Sequence, residues 1–152
     1  MSDDPRLEQF LDALHKGGQY AHYCTFVPNH QKDNPQERLE VTWFPVGAAP
    51  TPPLTPKCYF GVNPVKAIPT ENAQGKVVSA RHIKARVDII SAINCFFADF
   101  DVHLDTAPGK GNYESKEQIL AHIEGLSKPP SVVVDTGRGF HCYWLLQDTQ
   151  II

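Results

Sequence analysis

The chain has 152 residues, 41% of them apolar, and a formal net charge of −3; it is long enough for one domain, or one domain with a small subunit, around a core of ordinary size. The charge excludes a global positive field, so any contact with nucleic acid would need a local basic patch. No apolar run approaches the roughly 20 residues of a membrane span, and the acidic start MSDDPRLEQF is not a basic-then-apolar export signal, so the expectation is a soluble cytoplasmic protein without a membrane partner.

Asp4 and Pro5 open a first amphipathic helix, in which Leu7, Phe10, Leu11 and Leu14 recur at helical spacing until Gly17 and Gly18 stop it. Segments 20–27 and 39–44 are β-rich and predict a hairpin around a polar turn from Asn29 to Gln36. Five prolines between Pro45 and Pro56 cannot supply ladder donors and predict an extended surface connection. KCYFGVNP, residues 57–64, reads as a short strand stopped by Asn63-Pro64.

The stretch GKVVSARHIKAR then gathers Lys76, Arg81, Lys84 and Arg86 with His82, while Ile83, Val87 and Ile90 keep a helical period. This one basic cluster has two readings, a solvated helix face or a surface that tracks phosphates. After it come an apolar strand, CFFADFDVHLD at 95–105, and a Gly/Pro-rich loop. A helix follows, with Ser115 and Gln118 spaced as a capping box, an apolar face of Ile119, Leu120, Ile123 and Leu126, and Pro129-Pro130 beyond its end. SVVVDTGRGFHCYWLL closes the pattern as a hairpin. Cys24, Cys58, Cys95 and Cys142 lie far apart in apolar contexts and read as reduced core residues. The order α-β-β-β-α-β-α-β-β predicts an α+β fold, an antiparallel sheet with helices over one face.

The strand at 95–105 carries the chemistry. Alternation points Phe97, Asp99, Asp101 and His103 one way and Phe96, Ala98, Phe100 and Val102 toward the core. Two carboxylates then stand side by side, roughly 6 to 7 Å apart by strand rise, which is costly unless a cation neutralises them. Mg²⁺ or Mn²⁺ suits such a pair, since either ion commonly binds one or two carboxylates together with substrate phosphates. The bland alternative is the wet face of a sheet. In DTGRGFHCYW, Gly137 and Gly139 permit positive φ and a close approach, Arg138 can meet a phosphate, and His141 shares a face with Tyr143, away from Phe140 and Cys142. Here the alternative is a structural histidine after a turn.

FFADFDVH, followed about thirty residues later by PPSVVVDTGRGFHCYWLL, resembles the first and second signature motifs of the archaeo-eukaryotic primase superfamily, in particular the primase-polymerases of plasmids and phages. YFGVNP at 59–64 is similar to a segment upstream in the same proteins. The resemblance implies one catalytic domain over 1–152, with an RNA-recognition-like antiparallel sheet preceded by a small αβ unit. It also implies template-directed nucleotidyl transfer, a DNA primase or polymerase activity using two Mg²⁺ or Mn²⁺ ions. By position, Asp99 and Asp101 would hold the metals, and His141 would contact the nucleotide phosphates, with Arg138 and the glycine turn of Gly137 and Gly139 beside it. The backbone amides of that turn would add donors. Lys76, Arg81, Lys84 and Arg86 would line the DNA template, and a helicase or the remainder of a longer chain would be a partner.

This sequence departs from the family pattern in one respect. The third carboxylate normally lies on a strand after the histidine motif, but Asp135 precedes the histidine and Asp148 follows YWLL too closely. The ending LLQDTQII therefore reads as a truncated domain whose sheet another chain completes, with weak or no polymerase activity alone. Two alternatives stay open: a catalytically silent nucleic-acid-binding or assembly module, and a metal-dependent phosphodiesterase.

Overall fold

A computed structural model of the chain describes residues 5–27, 38–48, 58–83, 85–103 and 113–152. Asp4, the polar turn from Asn29 to Gln36, most of the proline stretch, Lys84 and the Gly/Pro-rich loop lie outside the described residues. The fold is α+β: helix α1 (Pro5–His15), strands β1 (Tyr20–Val27), β2 (Arg38–Pro45), β3 (Cys58–Phe60) and β4 (Ala92–Asp101), helix α2 (Lys116–Glu124), and strands β5 (Val132–Asp135) and β6 (Gly139–Ile151). They form two three-stranded sheets, ordered β2-β1-β3 and β4-β6-β5. By contacts the chain divides into two compact units, Met1–Asn94 with Asp148–Ile152, and Cys95–Gln147. Among the described residues no helix is long and apolar enough to cross a membrane.

In the first unit the predicted hairpin forms in continuous antiparallel register from Tyr20↔Pro45 to Val27↔Arg38, and β3 pairs with the other edge of β1 at Tyr23↔Phe60. Because strand side chains alternate, Ala21, Tyr23 and Phe44 meet on one face and collect Val46, Cys58 and Phe60 around them. Helix α1 buries Leu11, Leu14 and His15; full burial of one such leucine stabilises the fold by about 2 kcal/mol. His15 Nε2 lies 2.7 Å from the Gly61 carbonyl oxygen, and burial holds the imidazole below its ordinary pKa. The carbonyls at a helix end lack intrahelical donors. Here the buried Asn94 side chain supplies them, donating to Leu14 O at 2.9 Å and Lys16 O at 2.7 Å.

The helix expected around the basic cluster does not form. The segment instead makes two short 3-10 turns, Ala80–His82 and Val87–Ile89. Of the three apolar residues that set the helical period, Ile83 is buried but Val87 is 86% exposed, so there is no continuous apolar face to dock a helix. Distant partners fix the turns locally: Trp43 Nε1 donates to Ala80 O at 3.0 Å.

In the second unit β6 is the middle strand, with β4 on one side and β5 on the other. The predicted hairpin pairs antiparallel from Val132↔Tyr143 to Asp135↔Phe140. Ile119 and Ile123 of α2 pack with Phe140 and Cys142, and Phe100, Val102, Tyr113 and Trp144 close the cluster. The helix starts as its sequence predicts, Ser115 Oγ accepting the Gln118 N–H; Gln118 Oε1, however, accepts from Glu114 N rather than from the cap residue. Phe96 corrects the expected strand pattern. It belongs to the apolar side of the alternation, yet it is 67% exposed, because the cluster under α2 takes in Phe100 and Val102 and does not extend to Phe96. All four cysteines are free, with Cys24, Cys95 and Cys142 buried and Cys58 partly so.

Candidate functional site

One face of the second unit's sheet is sealed by α2, and the chemistry lies on the other. In an antiparallel pair, residues directly opposite share a face; Val134↔His141 and Val132↔Tyr143 therefore oppose the face that buries Phe140 and Cys142. Phe97 joins this second face from β4, its ring centroid 5.2 Å from that of His141, edge to face, and 5.2 Å from that of Tyr143. Sequence reasoning placed Phe97 on the acid face but did not select it. Its ring fixes the imidazole against the strand that carries the acids.

The two acids each meet a basic group from the β5–β6 corner. Arg138 Nη2 donates to Asp101 Oδ2 at 2.9 Å, and His141 Nε2 stands 3.5 Å from Asp99 Oδ1. Asp99, Asp101, Arg138 and His141, picked from separate stretches of sequence, thus form one patch. It is open to solvent: the Asp99 side chain is 49% exposed and that of His141 21%. Such exposure makes each ion pair a weak contributor to stability, about 0–1 kcal/mol, and leaves the groups free to exchange partners.

The glycines act in two different ways. Gly137 turns the chain at φ 86°, in the left-handed region that side chains disfavour. Gly139 has no positive φ; a Cβ added there would stand 1.9 Å from the carbonyl oxygen of Phe100, so its role is close approach of two strands. The expectation that their amides are available to a ligand is corrected. Gly137 N donates to Asp135 Oδ1 at 2.6 Å and Gly139 N to Thr136 Oγ1 at 3.0 Å, which commits both donors within the turn.

The pairing of Lys116 with Asp135 was not expected from the sequence. Lys116 Nζ contacts both Asp135 carboxylate oxygens, at 2.6 and 2.7 Å, and lies 4.9 Å from the Phe140 ring centroid. The hydrogen bond from Lys116, and then that from the Gly137 amide, holds Asp135 below the usual carboxylate range. Burial pushes Tyr143 up to about 12, with smaller contributions from the charges of Cys95 and Asp99, so its hydroxyl remains protonated at neutral pH. Burial also raises Cys95, to about 11, and Cys142, which makes both poor nucleophiles.

Both arginines of the first unit's basic cluster are paired with acids. Arg81 pairs with Glu40 at 2.5 Å and Arg86 with Asp88 at 2.7 Å; hydrogen bonds from these arginines hold both acids below their ordinary values. Lys76 is exposed. Of the predicted template residues, Arg81 and Arg86 therefore stand in ion pairs beside exposed turns rather than on a basic helix face.

Among the described residues no group of three His, Cys, Asp or Glu side chains is arranged to hold a metal ion. Asp99 and Asp101 fit a divalent cation in a narrower sense, as two carboxylates for an ion that brings its remaining oxygen ligands with it. Comparison with protein-family models, with curated proteins and with solved structures gave no match.

Proposed function

We propose that the Asp99–Asp101–Arg138–His141 patch binds a nucleoside triphosphate with Mg²⁺ or Mn²⁺ and serves template-directed nucleotidyl transfer, as in DNA primases and polymerases. The observation that carries this reading is the meeting of two strand-borne acids with two phosphate-seeking basic side chains on the open face of one sheet. Metal bound at the acids would neutralise charge on the attacking and leaving oxygens of an in-line displacement. The chain's own contribution is placement. β4 fixes the spacing of the acids, Phe97 and Tyr143 hold the imidazole from its flanks, and His141 donates to phosphate oxygens. Arg138 offers a planar fork that matches a phosphate.

In this reading the sheet of the second unit is the core of an RNA-recognition-like domain, and DNA template is the macromolecular partner. The competing reading is a binding or assembly module of the same fold, favoured by the lack of a third metal-binding side chain among the described residues. Calorimetry with Mn²⁺ and a deoxynucleoside triphosphate separates the two. Nucleotidyl transfer expects metal-dependent nucleotide binding that Asp99→Ala and His141→Ala each weaken at least tenfold. DNA binding indifferent to both substitutions, with no nucleotide bound, sinks the enzymatic reading. With a labelled primer, lengthening supports transfer and shortening indicates a phosphodiesterase.

A further inference from the structure

Asp101 already has a counter-ion from the protein, Arg138 Nη2 at 2.9 Å, and His141 Nε2 stands 3.5 Å from Asp99 Oδ1. Arg138 also lines an open pocket of about 350 Å³ with Val102, Ser115, Lys116, Glu117 and Gly137, on the α2 side of the sheet. Its two cations, Lys116 and Arg138, are each bound to a carboxylate, and Glu117 adds a further negative charge to the lining. A bare anion meets cations already bound to carboxylates, and a bare divalent cation meets a guanidinium already seated on Asp101. A chelate of the two meets neither obstacle. Its metal takes over the carboxylates while its phosphate oxygens take over the displaced guanidinium, so each charge-assisted contact is exchanged for another and none is left unpaired.

We infer that Arg138 is an internal counter-ion that holds Asp101 until a metal–polyphosphate chelate displaces it, so that cation and phosphate bind as a pair. The inference rests on the nucleotidyl-transfer reading above. It gives Arg138 a signature that neither a structural residue nor a simple phosphate ligand has: it opposes the metal alone and recruits the metal–phosphate pair. The 52% exposure of its side chain permits the swing without disturbing the cluster beneath α2.

The test uses the full chain with Mn²⁺ alone, counted by electron paramagnetic resonance, and with inorganic pyrophosphate in the absence and presence of Mn²⁺, followed by calorimetry. In the unaltered protein, each partner is expected to tighten binding of the other. Arg138→Gln is expected to tighten Mn²⁺ alone roughly threefold, the worth of an exposed ion pair, and to weaken manganese pyrophosphate roughly tenfold, the worth of a charged hydrogen bond. Arg138→Lys, which keeps the charge, restores part of both, and an unchanged thermal transition certifies the fold. Loss or constancy of both affinities in Arg138→Gln overturns the inference, as does independent binding of metal and pyrophosphate. If Asp99→Asn and Asp101→Asn still abolish chelate binding in that case, the nucleotidyl-transfer reading survives its failure; chelate binding that ignores both acids, or no chelate binding at all, removes both.

Discussion

Two regions of the molecule set basic side chains against carboxylates, and they differ in what lies behind the charges. Around the short 3-10 turns at 80–82 and 87–89, with Val77 and Val87 turned out to solvent, Arg81 pairs with Glu40 and Arg86 with Asp88 and the Glu71 and Asn72 carbonyls. On β4 and the β5–β6 corner, the same kinds of pair stand on a ten-residue strand whose other face packs through Phe100 and Val102 onto Ile119 and Ile123. The first arrangement ties two arginines to acids on a segment without a packed face behind it. The second holds two like charges at a fixed spacing, a cost that a structure bears only where something holds them. Charge density in the sequence therefore ranks the regions in the opposite order from the one their scaffolding suggests.

Four changes test that contrast, the largest effect first. Gly139→Ala forces a methyl group onto the Phe100 carbonyl; strand separation is expected to cost about 3 kcal/mol or more in denaturant unfolding, beyond ordinary overpacking. A result under 1 kcal/mol would show that β4 and β6 are not rigidly joined at that point. Raising the pH comes next. A tyrosine whose folded pKa stands near 12 against an ordinary 10 favours the protonated form in the folded state, so its contribution to stability is complete below pH 10 and is lost as pH rises from about 10 to about 12. Tyr143→Phe should flatten that part of the alkaline unfolding curve, and an unaltered curve would show that Tyr143 is not the group responsible.

The basic segment should respond more weakly. Trp43→Phe removes the indole donor to Ala80 and is expected to cost about 1 kcal/mol, with faster amide exchange confined to the turn at 80–82. Smallest of all, Arg86→Ala should cost about 0.5 kcal/mol, since its partner Asp88 is exposed and its hydrogen bonds to the Glu71 and Asn72 carbonyls are long, 3.4 and 3.2 Å. A larger loss would mean that this segment is more firmly built than its turns indicate.

Much of the fold was legible because its determinants are local. Alternation in YAHYCTFV and LEVTWF, the Ser115–Gln118 cap and the glycine turn before Phe140 each state their structure within a few residues. The failures are non-local. The spacing of Ile83, Val87 and Ile90 has a helical period, but whether a face is covered depends on what packs over it, and Trp43 is 37 residues from the carbonyl it binds. Phe96 failed for the same reason. The acid pair and His141 were readable as residue types on alternating strands, whereas Lys116 was not, because its partner Asp135 lies 19 residues away across a helix and a strand. Nor does composition reveal that Arg81 is tied to Glu40, 41 residues earlier.

The near-contact between Gly139 and Phe100 also reaches beyond this one chain. Any sequence that builds the same junction must leave that position without a side chain, however far its other residues have drifted. An Asp-x-Asp strand joined to a Gly-x-His turn is thus a geometric fingerprint, and its glycine is the part least able to arise by chance in an unrelated sheet. Distant kin whose overall identity has faded can be sought by that one requirement, and a candidate with a bulky residue there can be set aside before its acids are compared.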